Sequence, residues 1–586
     1  MEKVNEKKKN IKKNNIIQLF LVTVIIVLVN IISGFIFTRF DLTSEKRYSL
    51  APATKKVVKK LDDVMFFKVY LSGDLPPAFQ RLANETREML DEFRAYSKFV
   101  QYQFVDLSAI SDEKDRTFAY RSLVEKGLQP TTLRVNKKGQ SSQLVIFPGA
   151  VVTYRGHETP VQLLAGSNLG EDPNKVLNNS IQALEYNLAS AIEVLTKIIK
   201  PRIAILEGQG ELSQMETFDL ERSLSQFYNV DRVTINHKIN ALSIRVKLDS
   251  LHDRLANKYK ALIIAKPGKP FDEKDKFLID QFIMRGGKTL WLIDPVYTPW
   301  DSLQKYNSTM GVANDVNLED MLYTYGVRLN SNLVLDMTSM PIPLKTGQIG
   351  NQPQFTFFRW YYFPLLTPSI NHPIVHGLNA IKSEFISTID TVEAPGIKKL
   401  VLLTSSPYAY TINVPVLVEL EMLREQPDER LFTKGPFPVA VLLEGEFTSA
   451  YLFRIPPELA ENKGLEYKKK SKPTKMIIIA DGDIVRNQFN MKQGYPLPMG
   501  YDQWTQETFG NRDFILNAMN FLIDESGLIT VRSRELKMRL LDMKKVEREG
   551  LFWKLLNLIL PVLIILVFAL IRFRIRRMKF ARKTKY

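Results

Sequence analysis

The sequence predicts an α/β protein: a large region of alternating strands and helices held between two membrane-spanning helices. Three observations predict it. An uncharged apolar run of 22 residues, "IIQLFLVTVIIVLVNIISGFIF", covers Ile16 to Phe37, enough to cross a bilayer as a helix. A second apolar run, Leu551 to Ile571, closes the chain, with Lys554 beside Trp553 at the entry, where a lysine can snorkel to the interface. Between them, short apolar stretches alternate with amphipathic helical ones, the pattern of strands joined by crossover helices.

The first run is preceded by basic residues, as a signal peptide would be. A signal peptide's apolar part is about 7 to 15 residues long and ends in an A-x-A-like site. Here the run continues into Thr38-Arg39-Phe40-Asp41, so an uncleaved anchor is expected. Residues 1–15 hold six lysines against Glu2 and Glu6, and residues 572–586 hold eight basic side chains and no acid. The two tails therefore supply 12 of the 17 net positive charges, and the middle is not a polyanion-binding surface by composition; nucleic acid is not an expected partner. The positive-inside rule places both tails in the cytoplasm and about 510 residues outside. Basic tails beside helices also suit anionic lipid head groups. The chain contains no cysteine, which removes disulfides, thiol nucleophiles and cysteine metal sites together.

Taken in order, residues 1–15 are a cytoplasmic tail and 16–37 the first span. Residues 38–170 begin with a strand, "MFFKVYLS", and a helix from Pro76-Pro77 with Phe79, Leu82, Met89, Leu90 and Phe93 at helical spacings. The strand "FVQYQFVDL", a helix near Arg116 to Lys126 and three extended segments follow. This order predicts a thioredoxin-like domain, but "SGDLPP" stands where a Cys-x-x-Cys would be. It is expected to serve recognition or packing. Residues 171–200 read as a connecting helix ended by Pro201.

Residues 201–535 start with "RIAILEGQGE", a strand running into glycines, and then a helix marked by Phe218, Leu220 and Leu224. "YKALIIAKP" and "KTLWLID" are near-continuous apolar strands of the kind buried on both faces of a parallel sheet. "FDEKDKFLIDQFIMRGG" between them is a helix with acids first and glycines last. This pattern predicts a Rossmann- or amidotransferase-like α/β domain. Residues 337–435 are rich in proline and aromatics and their order is not readable. "TKMIIIADGDIVRNQF" is a later strand and "NRDFILNAMNFLID" a later helix; 536–550 is a juxtamembrane helix, 551–571 the second span and 572–586 a basic tail.

Each chemistry that a strand–glycine–helix turn suggests lacks a necessary residue. A dinucleotide fingerprint starting at Gly208 and Gly210 needs glycine at 213, which is serine. "GKT" at Gly287–Thr289 follows a helix instead of preceding one, so the glycines read as a helix cap and ATP hydrolysis by this chain is not expected. An amidotransferase-type Cys–His pair is excluded by composition. His372 and His376 are four apart, but Pro373 argues against a helix that would aim both at zinc. No catalytic residue, cofactor or metal is therefore assigned. Gly208, Gly210, Glu211, Asp294, Asp481 and Asp483 remain as a candidate ligand or partner loop at strand ends; Asp481 and Asp483 flank a glycine in a pattern that serves a tight turn as well as a cation. "FTFFRWYYFP" holds seven aromatics in ten residues. Phe355, Phe357, Phe358, Trp360, Tyr361 and Tyr362 are accordingly a candidate partner or glycan patch, with a core strand as the plainer alternative.

"YLSGDLPPAFQRLANETREMLDEF", "IAILEGQGE", "LIIAKPGKPFDEKDKFLIDQFIMRGGKTLWLID", "MIIIADGDIVRNQF" and "LKMRLLD" together resemble the GldG family of gliding-associated ABC-transporter auxiliary proteins. The resemblance implies an inner-membrane subunit with a periplasmic bulk. It further implies a GldF-like permease and a cytoplasmic GldA-like ATPase as partners, with a role in gliding motility. The family is labelled substrate-binding, so a periplasmic cargo or partner is implied, and no catalytic residues carry over. The rival expectation is an anchored periplasmic hydrolase using Glu211, Asp481 or Asp483, or a scaffold that transports nothing.

Overall fold

The computed structural model describes residues 16–28, 49–137, 140–164, 173–197, 199–247, 253–349, 352–462, 464–533 and 543–581. The chain divides into two units, one ending at Arg534 and one beginning at Glu535.

In the first unit, helix α1 (Ile16–Leu28) is a short apolar helix, and the rest of the predicted span, 29–37, lies outside the described residues. Helix α2 (Pro52–Lys59) leads into β1 (Met65–Val69), α3 (Pro77–Tyr96), β2 (Val100–Phe104) and α4 (Glu113–Glu125). Asp112 caps α4, its carboxylate accepting from Lys114 N at 2.7 Å. A hairpin of β3 (Thr131–Lys137) and β4 (Gln140–Ile146) precedes β5 (Gly149–Tyr154) and β6 (His157–Gln162). β1 pairs in parallel with β2 and antiparallel with β5, giving a sheet in the order β2-β1-β5-β6. Helix α5 (Pro173–Thr196) follows; of the stripe that helical spacing predicts, Ile181, Leu184, Leu188 and Ile192 are buried and Leu195 is half-buried, while Ile199 lies exposed beyond the helix end.

The larger sheet begins with β7 (Arg202–Glu207), α6 (Phe218–Leu224) and β8 (Asn229–Thr234). It continues through β9 (Ala261–Ala265), α7 (Glu273–Met284) and β10 (Lys288–Leu292), then helix α8 (Trp300–Tyr306). A long hairpin, β11 (Ser339–Ile349) and β12 (Gln352–Pro368), occupies much of the stretch whose order the sequence leaves unreadable. β13 (Ile397–Thr404), β14 (Pro438–Gly445), β15 (Thr474–Ile479) and helix α9 (Asn511–Ile523) complete it. Among the described residues this sheet has ten strands, nine of them in the order β11-β12-β13-β14-β15-β10-β9-β7-β8, and a short strand, Ile381–Lys382, pairs with β12. The half from β15 to β8 is parallel and the half from β11 to β14 is antiparallel, each strand being opposite to its neighbours including β15.

Alternation along the parallel strands feeds two cores. Ile203, Ile205, Ile263, Leu290, Ile477 and Ile479 face one, which is continuous through α5 and α9 with the smaller sheet. Ala204, Leu206, Leu262, Ile264, Trp291 and Ile478 face the other, packed on Phe282 and Ile283 of α7. A strand buried on both sides has no reason to show polar alternation, which is why these segments read as solid apolar runs. Gly286, with φ of +90°, ends α7, and a Cβ on Gly287 would lie 2.3 Å from the Phe282 ring. The glycines of "GGKT" thus close a helix and admit a phenyl ring. At the sheet's far edge β11 carries Pro341 and Pro343, opposite Arg359 and Phe357 of β12. Proline lacks an amide donor, so it suits an edge and blunts further strand pairing.

The second unit contains helix α10 (Met543–Ala581), one continuous helix where the sequence suggests a juxtamembrane helix and a separate span. Within it Arg548–Met578, 31 residues, is long and apolar enough to cross a membrane. At 1.5 Å per residue it extends about 46 Å against a hydrocarbon core of about 30 Å.

Candidate functional site

In open parallel sheets, ligands bind at the carboxyl ends of the strands, where consecutive crossovers leave in opposite directions. β8 and β9 flank β7, so that point lies between β7 and β9. The structure closes it with backbone. Gly268 N and Lys269 N both donate to Gln209 O, at 2.9 and 2.8 Å, and Leu212 N donates to Ala265 O at 3.0 Å. Gly208 and Gly210 adopt φ of +123° and +75°, which only glycine takes without strain. A Cβ on Gly210 would touch Gly268 and Lys269.

Side chains lock the same loop. Arg232, on β8, donates to Leu212 O at 2.9 Å and Thr217 Oγ1 at 3.0 Å, and pairs with Glu207 and Glu221. Gln209 Nε2 donates to the buried Asp275 at 3.3 Å. Glu211 turns back so that Oε2 accepts from Gln209 N at 2.8 Å; burial, opposed by its backbone hydrogen bonds, pushes its carboxyl upward.

Two strands along, the sheet brings Asp294, Asp481 and Asp483 together after β10 and β15, with one oxygen of each within 4.8 Å of the others. Asp481 is fully buried: Oδ1 accepts from Asp483 N at 2.7 Å and Oδ2 from Glu384 N at 3.1 Å. Burial first, then the charges of Asp294 and Asp483, pushes the Asp481 carboxyl well up. Asp294 is raised by burial most of all, although Lys266 opposes the shift. Lys266 Nζ lies 2.9 Å from Asp294 Oδ2 and also pairs with Asp483. Burial works against the ammonium, and the two carboxylates outweigh it, holding Lys266 above the ordinary lysine range.

The ammonium therefore stands where a cation would sit among these acids. Lys266, with Arg486 beside Asp483, supplies the charge compensation that these buried carboxylates require. Lys266 takes a left-handed φ of +56°, and a Cβ on Gly482 would lie 2.5 Å from Lys266 Cβ. Residue 482 must be glycine for the lysine to reach over it.

Beyond Asp483 a cleft of about 330 Å³ opens, lined by Trp300, Glu384, Arg486, Tyr501 and Trp504 among others. Arg486 bridges Glu216 at 3.1 Å and Asp483 at 3.5 Å, joining the loops after β7 and β15. Burial would raise the Glu216 carboxyl, but hydrogen bonds from Ser213 and the charges of Arg486 and Lys266 bring it below the usual range.

The aromatic stretch does not form one patch. Phe355 and Phe357 are exposed and Phe358 half-buried, whereas Trp360, Tyr361 and Tyr362 are buried with Phe363 in a separate core. The strand's outer half extends with its hairpin partner, and its inner half enters the sheet, so one run serves two environments. Phe355 packs on Trp504 at 5.5 Å between ring centroids. Lys266, Glu216, Arg486, Trp300 and Trp504 were not legible as site residues. For Lys266 a signal existed, a charge ending the apolar run "ALIIAK" at a strand's carboxyl end; the others come from loops with no distinguishing pattern.

A mixed sheet with a backbone-sealed switch point, a charge-compensated acidic cluster and an open polar cleft defines an α/β protein with a built recess. The chain belongs to the family described as "ABC-type uncharacterized transport system", which matches residues 200–518. Membership gives it an auxiliary role in an ABC-type system, which implies permease and ATPase partners in general terms. Residues 44–153 match a domain of unknown function, DUF7088. The chain is similar to an uncharacterized protein of Borreliella burgdorferi, 21% identical over 558 residues, 93% of this chain and 95% of the relative. Among solved structures, the mmIFT52 N-terminal domain aligns at 11% identity, with 55% of this chain and 96% of that one covered and a TM-score of 0.30; so low a score carries no argument.

Proposed function

We propose that this chain is a non-enzymatic, membrane-anchored subunit of an ABC-type complex whose extracytoplasmic α/β region binds a partner or cargo. Two helices, 16–37 and 551–571, would anchor it in the cytoplasmic membrane with both tails inside. ATP would be hydrolysed by a separate GldA-like chain and transport carried by a GldF-like permease, in service of gliding motility. The family match across residues 200–518 is the observation that carries the reading.

The geometry supports the non-enzymatic part. Glu211 is committed to its own loop, Asp481 is buried under backbone donors, and Asp483 is paired with Lys266. The smaller sheet's order and directions support a thioredoxin-like unit over 38–170, here without cysteine and so without redox chemistry. The parallel half of the larger sheet supports an amidotransferase-like unit over 201–535.

Affinity purification of the tagged full chain from native membranes tests this. The expected result is recovery of a permease and an ATPase in fixed ratio. Isolation as a fully functional lone subunit, or loss of motility on Glu211→Gln with the complex intact, would overturn it.

A further inference from the structure

The cleft beside the neutralised cluster has a chemistry of its own. Its volume, about 330 Å³, falls at the lower end of the roughly 300–1,000 Å³ of small-molecule sites. Two half-buried indoles line it. Trp300 is held from behind by Phe363 and Phe385, at 5.0 and 6.2 Å between centroids, and Trp504 by Phe355. Both rings are therefore fixed before any ligand arrives.

The cations in the cleft are already committed. Lys382 lies between Asp502 at 3.3 Å and Glu384 at 3.4 Å, and Arg486 between Glu216 and Asp483. The acceptors are not. Asp301 is exposed and makes no hydrogen bond or ion pair among the described residues. Asp483 Oδ1 belongs to a side chain only 6% exposed, yet accepts no hydrogen bond; Arg486 Nη1, at 3.5 Å, gives it an ion pair only, and the lysine binds the other oxygen. A buried acceptor without a donor is costly, and Asp483 lines the open cleft.

Fixed aromatic faces with unspent carboxylate oxygens suit a ligand that is positive and rich in N–H donors. We propose that this cleft binds an organic amine, a small molecule carrying a protonated amino or guanidino group. Asp301 supplies the countercharge, Asp483 Oδ1 accepts an N–H, and the two indoles enclose the cation's apolar flank. An anionic ligand would meet Asp301, Glu384 and Asp483 with no cation free to offset them. This deepens the binding reading above and rests on it only for the ligand's role, since the site needs no permease to form.

The test is isothermal titration calorimetry on the purified full chain in detergent, with putrescine and agmatine as probes and glucose and glutarate as controls. The expected result is saturable binding of at least one amine and none of either control. Asp301→Asn should weaken it about tenfold with the melting temperature unchanged, because the residue is exposed. Gln304→Glu, which adds a carboxylate to the same rim, should tighten it. No saturable amine binding, glucose or glutarate bound as well as the amines, or an affinity indifferent to both substitutions would overturn the proposal. Failure to recover a permease with the chain would instead count against the complex and leave amine binding standing.

Discussion

Two places along one sheet edge invite a ligand, and the protein treats them oppositely. Between β7 and β9, where the crossovers diverge, the gap is filled by the chain's own amides on Gln209 O and sealed by Arg232. Past β15, where parallel strands meet antiparallel ones, the edge stays open as a cleft with fixed rings and an unpartnered carboxylate oxygen. The Lys266 cluster sits between the two, its ammonium reaching from the end of β9 to acids from β10 and β15. A topological switch point favours a binding site only if the loops leave it vacant; here the vacancy is displaced by three strands, to the far side of β15.

The severest way to break this arrangement is Lys266→Met. It leaves Asp294 buried without a cation and Asp483 with Arg486 alone, and denaturant titration should show a loss of about 3–5 kcal/mol, with the cleft wall disturbed as well. Gly482→Val acts on the same junction sterically, forcing a side chain against Lys266 Cβ and Cγ; overpacking of this kind costs about 1–3 kcal/mol. Gly210→Ala probes the sealed gap alone. Its φ of +75° imposes a penalty of about 1–2 kcal/mol, read as a lower melting temperature with amine binding retained.

The pH dependence reports on one buried acid of the cluster. Asp481 has its carboxyl raised in the folded state, so between the ordinary aspartate range, about 3.9, and that raised value the folded chain holds more protons than the unfolded one. Stability contributed by this group is greatest at low pH and falls as pH rises through that window. Urea titrations across pH should show the decline, and Asp481→Asn should make it shallower, Asp294 and Glu211 keeping the remainder. The smallest effect is expected at the hairpin: Phe355→Ser and Phe357→Ser should each change stability by less than about 0.5 kcal/mol, Phe355 the more of the two because it backs Trp504.

Legibility followed burial geometry. The strands "ALIIA" and "KTLWL" were readable because burial on both faces leaves an apolar run, and α7 because its acids and glycines mark its ends. Asp294, Asp481 and Asp483 were readable as strand-end acids, and the sheet does bring them together. Their cation partner was missed because Lys266 and Asp483 stand 217 residues apart, and the pairing of β9 with β10 and of β10 with β15 that brings them together leaves no local trace. The aromatic stretch misled for the opposite reason. Its composition is uniform, but Phe355 and Trp360 lie in different surroundings on one 17-residue strand.

The sequence by itself determined the class of secondary structure, the apolar run that becomes α10, and the lack of a cysteine, of a complete dinucleotide fingerprint and of a complete Walker loop. Those depend on residue identity and near-neighbour spacing. Only the tertiary structure decided that the glycine turn is sealed, that Lys266 answers the aspartates, and that the open recess lies past β15. Each of these depends on the through-space distance between charges and amides that strand order brings together and chain order keeps apart.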